Sequence, residues 1–142
     1  MTTPGNGKPP WVLEHLEHYL ATDGEDGHMW RGVPTLLLTT TGRKTGRSIT
    51  TPLIYGVHEG RCIVVASRGG APDHPQWYYN LNANPSVRVQ VAADKFDASA
   101  RTAGPDEKPE LWQLMAGIYP PYDDYQAKTD REIPMVILEP AG

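Results

Sequence analysis

Thr39-Thr40-Thr41-Gly42-Arg43-Lys44-Thr45-Gly46-Arg47 packs three cations, four threonines and two glycines into nine residues. No acid lies between Asp26 and Glu59, so the stretch is locally positive in a chain of formal net charge −4. Cations, hydroxyls and glycine-freed backbone N–H groups all donate to anionic oxygens. The pattern predicts a cradle for a phosphate or carboxylate; an exposed charged hairpin is the plainer alternative. It is not a P-loop, because that motif needs Gly, four residues and then Gly-Lys-Ser/Thr, whereas here Lys44 follows Arg43.

Two further groups carry chemistry. Ser67-Arg68-Gly69-Gly70 is a second basic glycine loop, and two donor-rich loops at one end of a barrel suit one long anionic ligand. Tyr119, Tyr122 and Tyr125 stand at i, i+3 and i+6 in a segment whose Pro120 and Pro121 predict an irregular path rather than a helix. Phenols donate hydrogen bonds at neutral pH and stack on planar substrates. Trp77, Tyr78 and Tyr79 offer flat surfaces; Trp77 suits cofactor wall and core equally, whereas Tyr78 and Tyr79 read first as core. His15 and His18, beside Glu14 and Glu17, read as a solvated helix face, and His28, His58 and His74 are scattered. No Cys/His spacing suits zinc, and no Gly-x-Ser-x-Gly elbow is present.

The elements that must position these groups are short. Val12, Leu13, Leu16, Tyr19 and Leu20 recur at helical spacing over residues 11–20, after a polar lead-in over 1–10 that predicts disorder. Residues 35–41 and 48–57 read as strands flanking the cradle, with Pro52 at a bulge or edge. His58-Glu59-Gly60 predicts a hairpin turn into a strand over 61–66. A short aromatic helix over 76–81, strands from Val87 to Thr102, a helix over 105–117 and a last strand over 135–138 complete the pattern. Several antiparallel strands with short helices predict a small mainly β barrel, one domain from residue 11 to 142.

Composition narrows the function. A modest negative charge argues against nucleic-acid binding. The single cysteine, Cys62, sits in an apolar run as a small hydrophobe, which points to a reducing compartment. No run approaches the ~20 apolar residues of a membrane span, and the start has no apolar leader, so a cytoplasmic protein is expected. The acidic polar face of residues 11–20 leaves a peripheral membrane contact at most.

In order, Thr40 to Gly46, Pro52-Leu53, Val65 to Gly70, Pro75 to Leu81, Asn84-Pro85, Tyr119 to Gln126, Thr129 to Arg131 and Ile133-Pro134 resemble the deazaflavin-dependent nitroreductase family of actinobacteria. The resemblance implies a split β-barrel of the FMN-binding-protein type. It also implies coenzyme F420, whose side chain ends in a phosphate linked to an oligoglutamate tail. By the resemblance, Arg43, Lys44, Thr45, Gly46 and Arg47 hold the phosphate. Pro52, Leu53, Ile54 and Tyr55, with Ala66, Ser67, Arg68, Gly69 and Gly70, line the deazaflavin, and Trp77 closes the pocket. Ser67, Tyr122 and Tyr125 match catalytic positions, with Tyr122 or Tyr125 as proton donor; Ile54, Tyr119, Tyr122 and Tyr125 match substrate positions. The expected activity is hydride transfer from the reduced deazaflavin to a quinone, nitroaromatic or other planar acceptor, by a monomer or homodimer. An FMN-dependent oxidoreductase and a non-enzymatic F420 carrier are the alternatives. Two departures stand out: Ile49 where many relatives carry arginine, with Arg47 nearby, and Ile54 in place of an aromatic found in the nitroimidazole-activating member.

Overall fold

The computed structural model describes residues 10–30 and 32–141. Residues 1–9 of the polar lead-in lie outside them, and Pro10 opens helix α1 (Pro10–Thr22). Then come β1 (Met29–Trp30), β2 (Val33–Thr41), β3 (Ser48–His58), β4 (Arg61–Val65), a 3₁₀ turn at Arg68–Gly70, and α2 (Gln76–Ala83). β5 (Ser86–Val91), β6 (Asp94–Thr102), α3 (Lys108–Ile118), α4 (Pro121–Lys128) and β7 (Met135–Pro140) complete the chain.

The strands run antiparallel in the order β1-β2-β3-β4-β7-β6-β5, and β5 pairs back onto β2 through Leu37↔Gln90, Leu38↔Val89 and Thr39↔Arg88. Six strands thus close a barrel, and β1 is appended to the start of β2. This is the mainly β, short-helix split barrel expected of the sequence. The turn between β3 and β4 has Glu59 and Gly60 at φ 53° and 77°, the pair of positive φ values that a type I′ hairpin requires.

The split arises in β3. Its residues Ser48 to Ile54 pair with β2, whereas Tyr55 to His58 pair with β4. The second edge of Pro52-Leu53-Ile54 is therefore open. Pro52, which has no N–H to contribute to a second ladder, stands in that half-paired stretch.

Alternation along the strands builds two layers. Val64, Ala66, Val136 and Leu138 point into the barrel with Leu36, Leu38, Val87 and Val89. Ile63, Val65, Met135 and Ile137 point outward under α3 and α4. Ile63 to Val65 of β4 and Met135 to Leu138 of β7 are buried on both faces, hence the unbroken apolar runs there. Cys62 is half-buried against the inner layer, and burial pushes its thiol pKa up. α3 sits so close to β3 that a Cβ on Gly56 would lie 2.8 Å from Met115 Sδ.

One expectation is overturned. Tyr122 and Tyr125 are on a helix, α4, not on an irregular segment. Pro121 occupies its first helical position, where the missing N–H would have had no intrahelical partner and φ is already suitable. The prolines start this helix instead of breaking it.

Candidate active site

A cleft of about 270 Å³ opens at the unpaired edge of β3. Pro52, Leu53 and Ile54 form its floor, with Val65, Ser67, Arg68 and Gly69 on one side and Pro75 and Trp77 at one end. Tyr119, Tyr122 and Tyr125 overhang it. Ten of the residues singled out in the sequence therefore meet around one space. Tyr55, Ala66 and Gly70 stand behind the lining. Tyr55 is in the inner core and shares a 2.8 Å hydrogen bond with His28 Nε2. Trp77 is both wall and core, at 7 % exposure.

The tyrosines form a cluster. Ring centroids lie 5.0 Å apart for Tyr119–Tyr122 and 6.2 Å for Tyr122–Tyr125, and the hydroxyls of Tyr119 and Tyr125 are 3.3 Å apart. Burial pushes the Tyr122 phenol well above its ordinary pKa, with Tyr119 and Tyr125 adding to the shift. Tyr125 is pushed up to about 12, first by its bond to Tyr119 and then by burial. Both rings therefore stay protonated and donate hydrogen bonds throughout the neutral range.

α4 reaches the cleft because Gly70 has no side chain. A Cβ there would stand 2.7 Å from the Tyr125 carbonyl oxygen, and Gly70 has φ 79°. The loop before it is equally constrained: Ser67 is in the right-handed region, while Arg68 and Gly69 have φ 46° and 62°. A right-handed then left-handed pair turns successive N–H groups to one side, the geometry of an anion nest.

Arg131 holds this loop. Its Nη2 donates to Ser67 O (2.5 Å), Nη1 to Ala66 O (3.1 Å) and His74 Nδ1 (3.0 Å), and Nε to Ala71 O (2.8 Å). All four partners are neutral. Burial pulls the guanidinium below its usual pKa, and burial followed by Arg131 itself pulls His74 down. Sequence reasoning did not assign Arg131 a role, since an arginine in the polar run Thr129-Asp130-Arg131 carries no local signal.

The basic stretch is the β2–β3 hairpin. Gly42 N–H donates to Arg47 O (2.7 Å), Gly46 N–H to Gly42 O (2.8 Å), Arg43 N–H to Asn80 Oδ1 (3.2 Å) and Arg47 N–H to Thr45 Oγ1 (3.2 Å). The turn thus consumes most of its own N–H groups, and the donors left for an anion are chiefly the cations. Lys44 and Arg47 are exposed, and among the described residues no acid pairs with them. Ile49 leans under the turn, its Cδ1 3.3 Å from where a Gly42 Cβ would be, so it supports the hairpin by packing.

Arg43 joins hairpin to cleft. Its Nη1 and Nη2 donate to Asn80 Oδ1 and Gln76 Oε1, both at 2.8 Å, and its guanidinium lies 5.2 Å from the Tyr79 ring centre. Gln76 opens α2, and its neighbours Pro75 and Trp77 line the cleft.

The N-terminal segment supplies the remaining wall. Val12 and His15 of α1, Trp30 of β1 and Thr35 of β2 all line the cleft. The reading of His15 as part of a solvated face is therefore corrected. Glu14, Glu17 and His18 are exposed, but His15 is half-buried with its Nε2 2.7 Å from Gly27 O. The signal was present: Val12, His15, Leu16 and Tyr19 fall at i, i+3, i+4 and i+7, one helix face.

Residues 11–140 match the family model described as F420H(2)-dependent quinone reductase. The chain is 40% identical over 128 residues to the F420H(2)-dependent quinone reductase Rv1261c of Mycobacterium tuberculosis, covering 87% of this chain and 86% of that one. Among solved structures it resembles an F420-H2 dependent reductase (FDR-A), with 45% identity and a TM-score of 0.70 over 75% of this chain and 94% of that one. It also resembles a chain described as a domain-swapped dimer, with 42% identity and a TM-score of 0.73 over 91% and 97%.

Proposed function

We propose, for a chain that belongs to the F420H(2)-dependent quinone reductase family, that the cleft under the three tyrosines is where the acceptor is reduced. The protein is an F420H(2)-dependent oxidoreductase that transfers hydride to a quinone, with coenzyme F420 as its cofactor. One observation carries the placement: Arg43 ties the cation-rich hairpin to the first turn of α2, and that turn is also the end wall of an apolar, aromatic slot. An anion anchor joined to a flat apolar slot fits a ring system with a phosphate and oligoglutamate tail.

When bound, the reduced deazaflavin supplies a hydride donor. The chain's own residues bind, orient and exclude water. Lys44 and Arg47 attract the anionic tail at the hairpin. Pro52, Leu53, Ile54 and Trp77 hold flat rings by apolar contact, and Ser67 offers a hydroxyl at the reacting edge. Tyr122 has no hydrogen-bond partner for its hydroxyl among the described residues, so it is free to donate to an acceptor oxygen. Holding donor and acceptor face to face is the entropic part of catalysis.

The test of the anchor is Lys44→Ala. A hydrogen bond to a charged partner contributes ~1.5–3 kcal/mol, so F420 affinity, read by fluorescence titration, is expected to fall about tenfold or more. An unchanged dissociation constant removes the hairpin from the coenzyme site. FMN has a phosphate but no oligoglutamate, so in a parallel titration it should bind the wild-type chain more weakly and lose less on the same substitution. For Tyr122→Phe, turnover with menadione is expected to fall about fivefold, as befits one neutral hydrogen bond of ~1 kcal/mol. Coenzyme affinity should stay within about twofold, and equal turnover would take Tyr122 off the acceptor.

The likeness to a domain-swapped dimer supports a homodimer here. No described helix is long and apolar enough to cross a membrane. α1 turns Leu16 and Tyr19, both fully buried, onto the barrel, which favours a wall of the site over a membrane contact. A cytoplasmic location is part of this proposal.

A further inference from the structure

We propose that helix α1 forms the acceptor-facing wall of the cleft and that His15 Nδ1 exchanges the proton that completes reduction of the acceptor. The inference rests on the placement of the acceptor proposed above.

α1 is a fixed part of the site. The Tyr19 hydroxyl shares its one proton between Thr35 O (3.0 Å) and Gln90 O (3.3 Å) and accepts from Ala92 N–H (2.7 Å), which pins the helix across β2, β5 and the following turn. At Gly24 the chain passes so close to that turn that a Cβ would stand 2.4 Å from Ala92 Cα. One turn of helix before Tyr19, His15 stacks near-parallel to Trp30, 12° between planes and 6.4 Å between centres.

The hydrogen bonds fix what His15 has left to offer. Gly27 O can only accept, so His15 Nε2 carries the proton in their 2.7 Å contact. Nδ1 has no protein partner among the described residues, nor is it a sealed, unsatisfied atom. It is the ring's open nitrogen.

The chemistry of the lining then selects it. Reduction of a quinone to a hydroquinone takes one hydride and one proton; the hydride brings both electrons. Among the described lining residues, the titratable groups are His15, Arg68 and the three tyrosines, and no carboxylate or thiol is present. Arginine does not release its proton in proteins. Tyr122 and Tyr125 are held above the ordinary phenol range, which suits steady donors and not proton sources, and the Tyr119 hydroxyl is engaged with that of Tyr125 at 3.3 Å. That leaves His15, whose ring can take up and release a proton at Nδ1 while Nε2 keeps its bond to Gly27 O. Nδ1 first takes up a proton from solvent, so that both ring nitrogens carry one. That Nδ1 proton passes to the acceptor oxygen as the hydride arrives, leaving the neutral ring with its proton on Nε2, as the Gly27 contact holds it.

The test compares His15→Ala and His15→Gln in the full chain. The Gln amide can still donate to Gly27 O but cannot exchange a proton, so it separates chemistry from folding. Both should bind F420 within about twofold of wild type and lose about a hundredfold in menadione turnover. Added imidazole should restore turnover to the Ala variant. Turnover within about threefold of wild type in the Gln variant overturns the proposal, as does an Ala variant that imidazole fails to rescue. Acceptor contact is read without coenzyme: quenching of intrinsic tryptophan fluorescence by menadione should weaken at least about threefold in His15→Ala. Unchanged quenching overturns the contact. Failure of the coenzyme placement has its own signature, an undiminished F420 affinity in Lys44→Ala, and leaves the quenching result standing.

Discussion

Arg131→Ala should weaken F420 binding by more than about a hundredfold and lower unfolding free energy by about 2–4 kcal/mol. The guanidinium bridges three backbone carbonyls and His74, and no other described side chain spans the loop from Ala66 to Ala71. Each charge-assisted bond contributes ~1.5–3 kcal/mol. The sum is discounted because Arg131 is half-exposed, so water can replace part of what is lost. Without the clamp, only the turn's own bonds, Gly70 N–H to Ser67 O and Ala71 N–H to Arg68 O, hold Arg68 at φ 46°, a conformation that non-glycine residues leave when released. The nest of N–H groups beside the cleft would open, and α4, which touches Gly70, would lose its seat. Arg131→Lys should recover little, because an ammonium is a point charge and cannot fork onto four acceptors. Urea denaturation and F420 titration check both halves. Affinity within about threefold of wild type would mean the loop holds its shape unaided.

The fold was legible where burial is one-sided or complete. Val87 and Val89 alternate with polar residues on β5, and Met135 to Leu138 of β7 form an unbroken apolar run because α3 covers one face and the barrel interior the other. The anion cradle was legible as composition, but not which of its donors remain free; the turn's internal hydrogen bonds decide that, and they are a property of the closed hairpin. α4 was misread because a proline forbids the middle of a helix and favours its first turn, and the sequence alone does not say which position Pro121 takes. His15 was misread by its neighbours Glu14 and Glu17, although its own helix face runs through Leu16 and Tyr19. Arg131 was out of reach. Its partners are main-chain carbonyls some sixty residues away, and a carbonyl leaves no trace in residue identity.

Arg43→Ala should weaken F420 binding about a hundredfold, well beyond the roughly tenfold expected of Lys44→Ala, although both remove one positive charge. The difference lies in what Arg43 does for the protein. Asn80 is 2 % exposed, and its Oδ1 accepts from both the Arg43 backbone N–H and Nη1, while its Nδ2 donates to Thr40 Oγ1. Nη2 meets Gln76 at the first turn of α2. None of these partners is charged, so Arg43 keeps its full positive field for a ligand while acting as the strut between anion anchor and ring slot. Lys44 supplies field alone. Charge and strut are separated by Arg43→Lys, which keeps the first and loses the forked geometry; it should fall between the two alanine variants. The salt dependence of binding sharpens the distinction. Arg43→Lys should keep the wild-type slope of affinity against ionic strength with a lower intercept, whereas Lys44→Ala should flatten the slope. If Arg43→Lys bound F420 as tightly as wild type, the strut would carry no weight and the cradle would act by charge alone. If Arg43→Ala matched Lys44→Ala, the hairpin and the slot would be anchored independently, and the connection through α2 would not be what sets the coenzyme's reach from phosphate to ring.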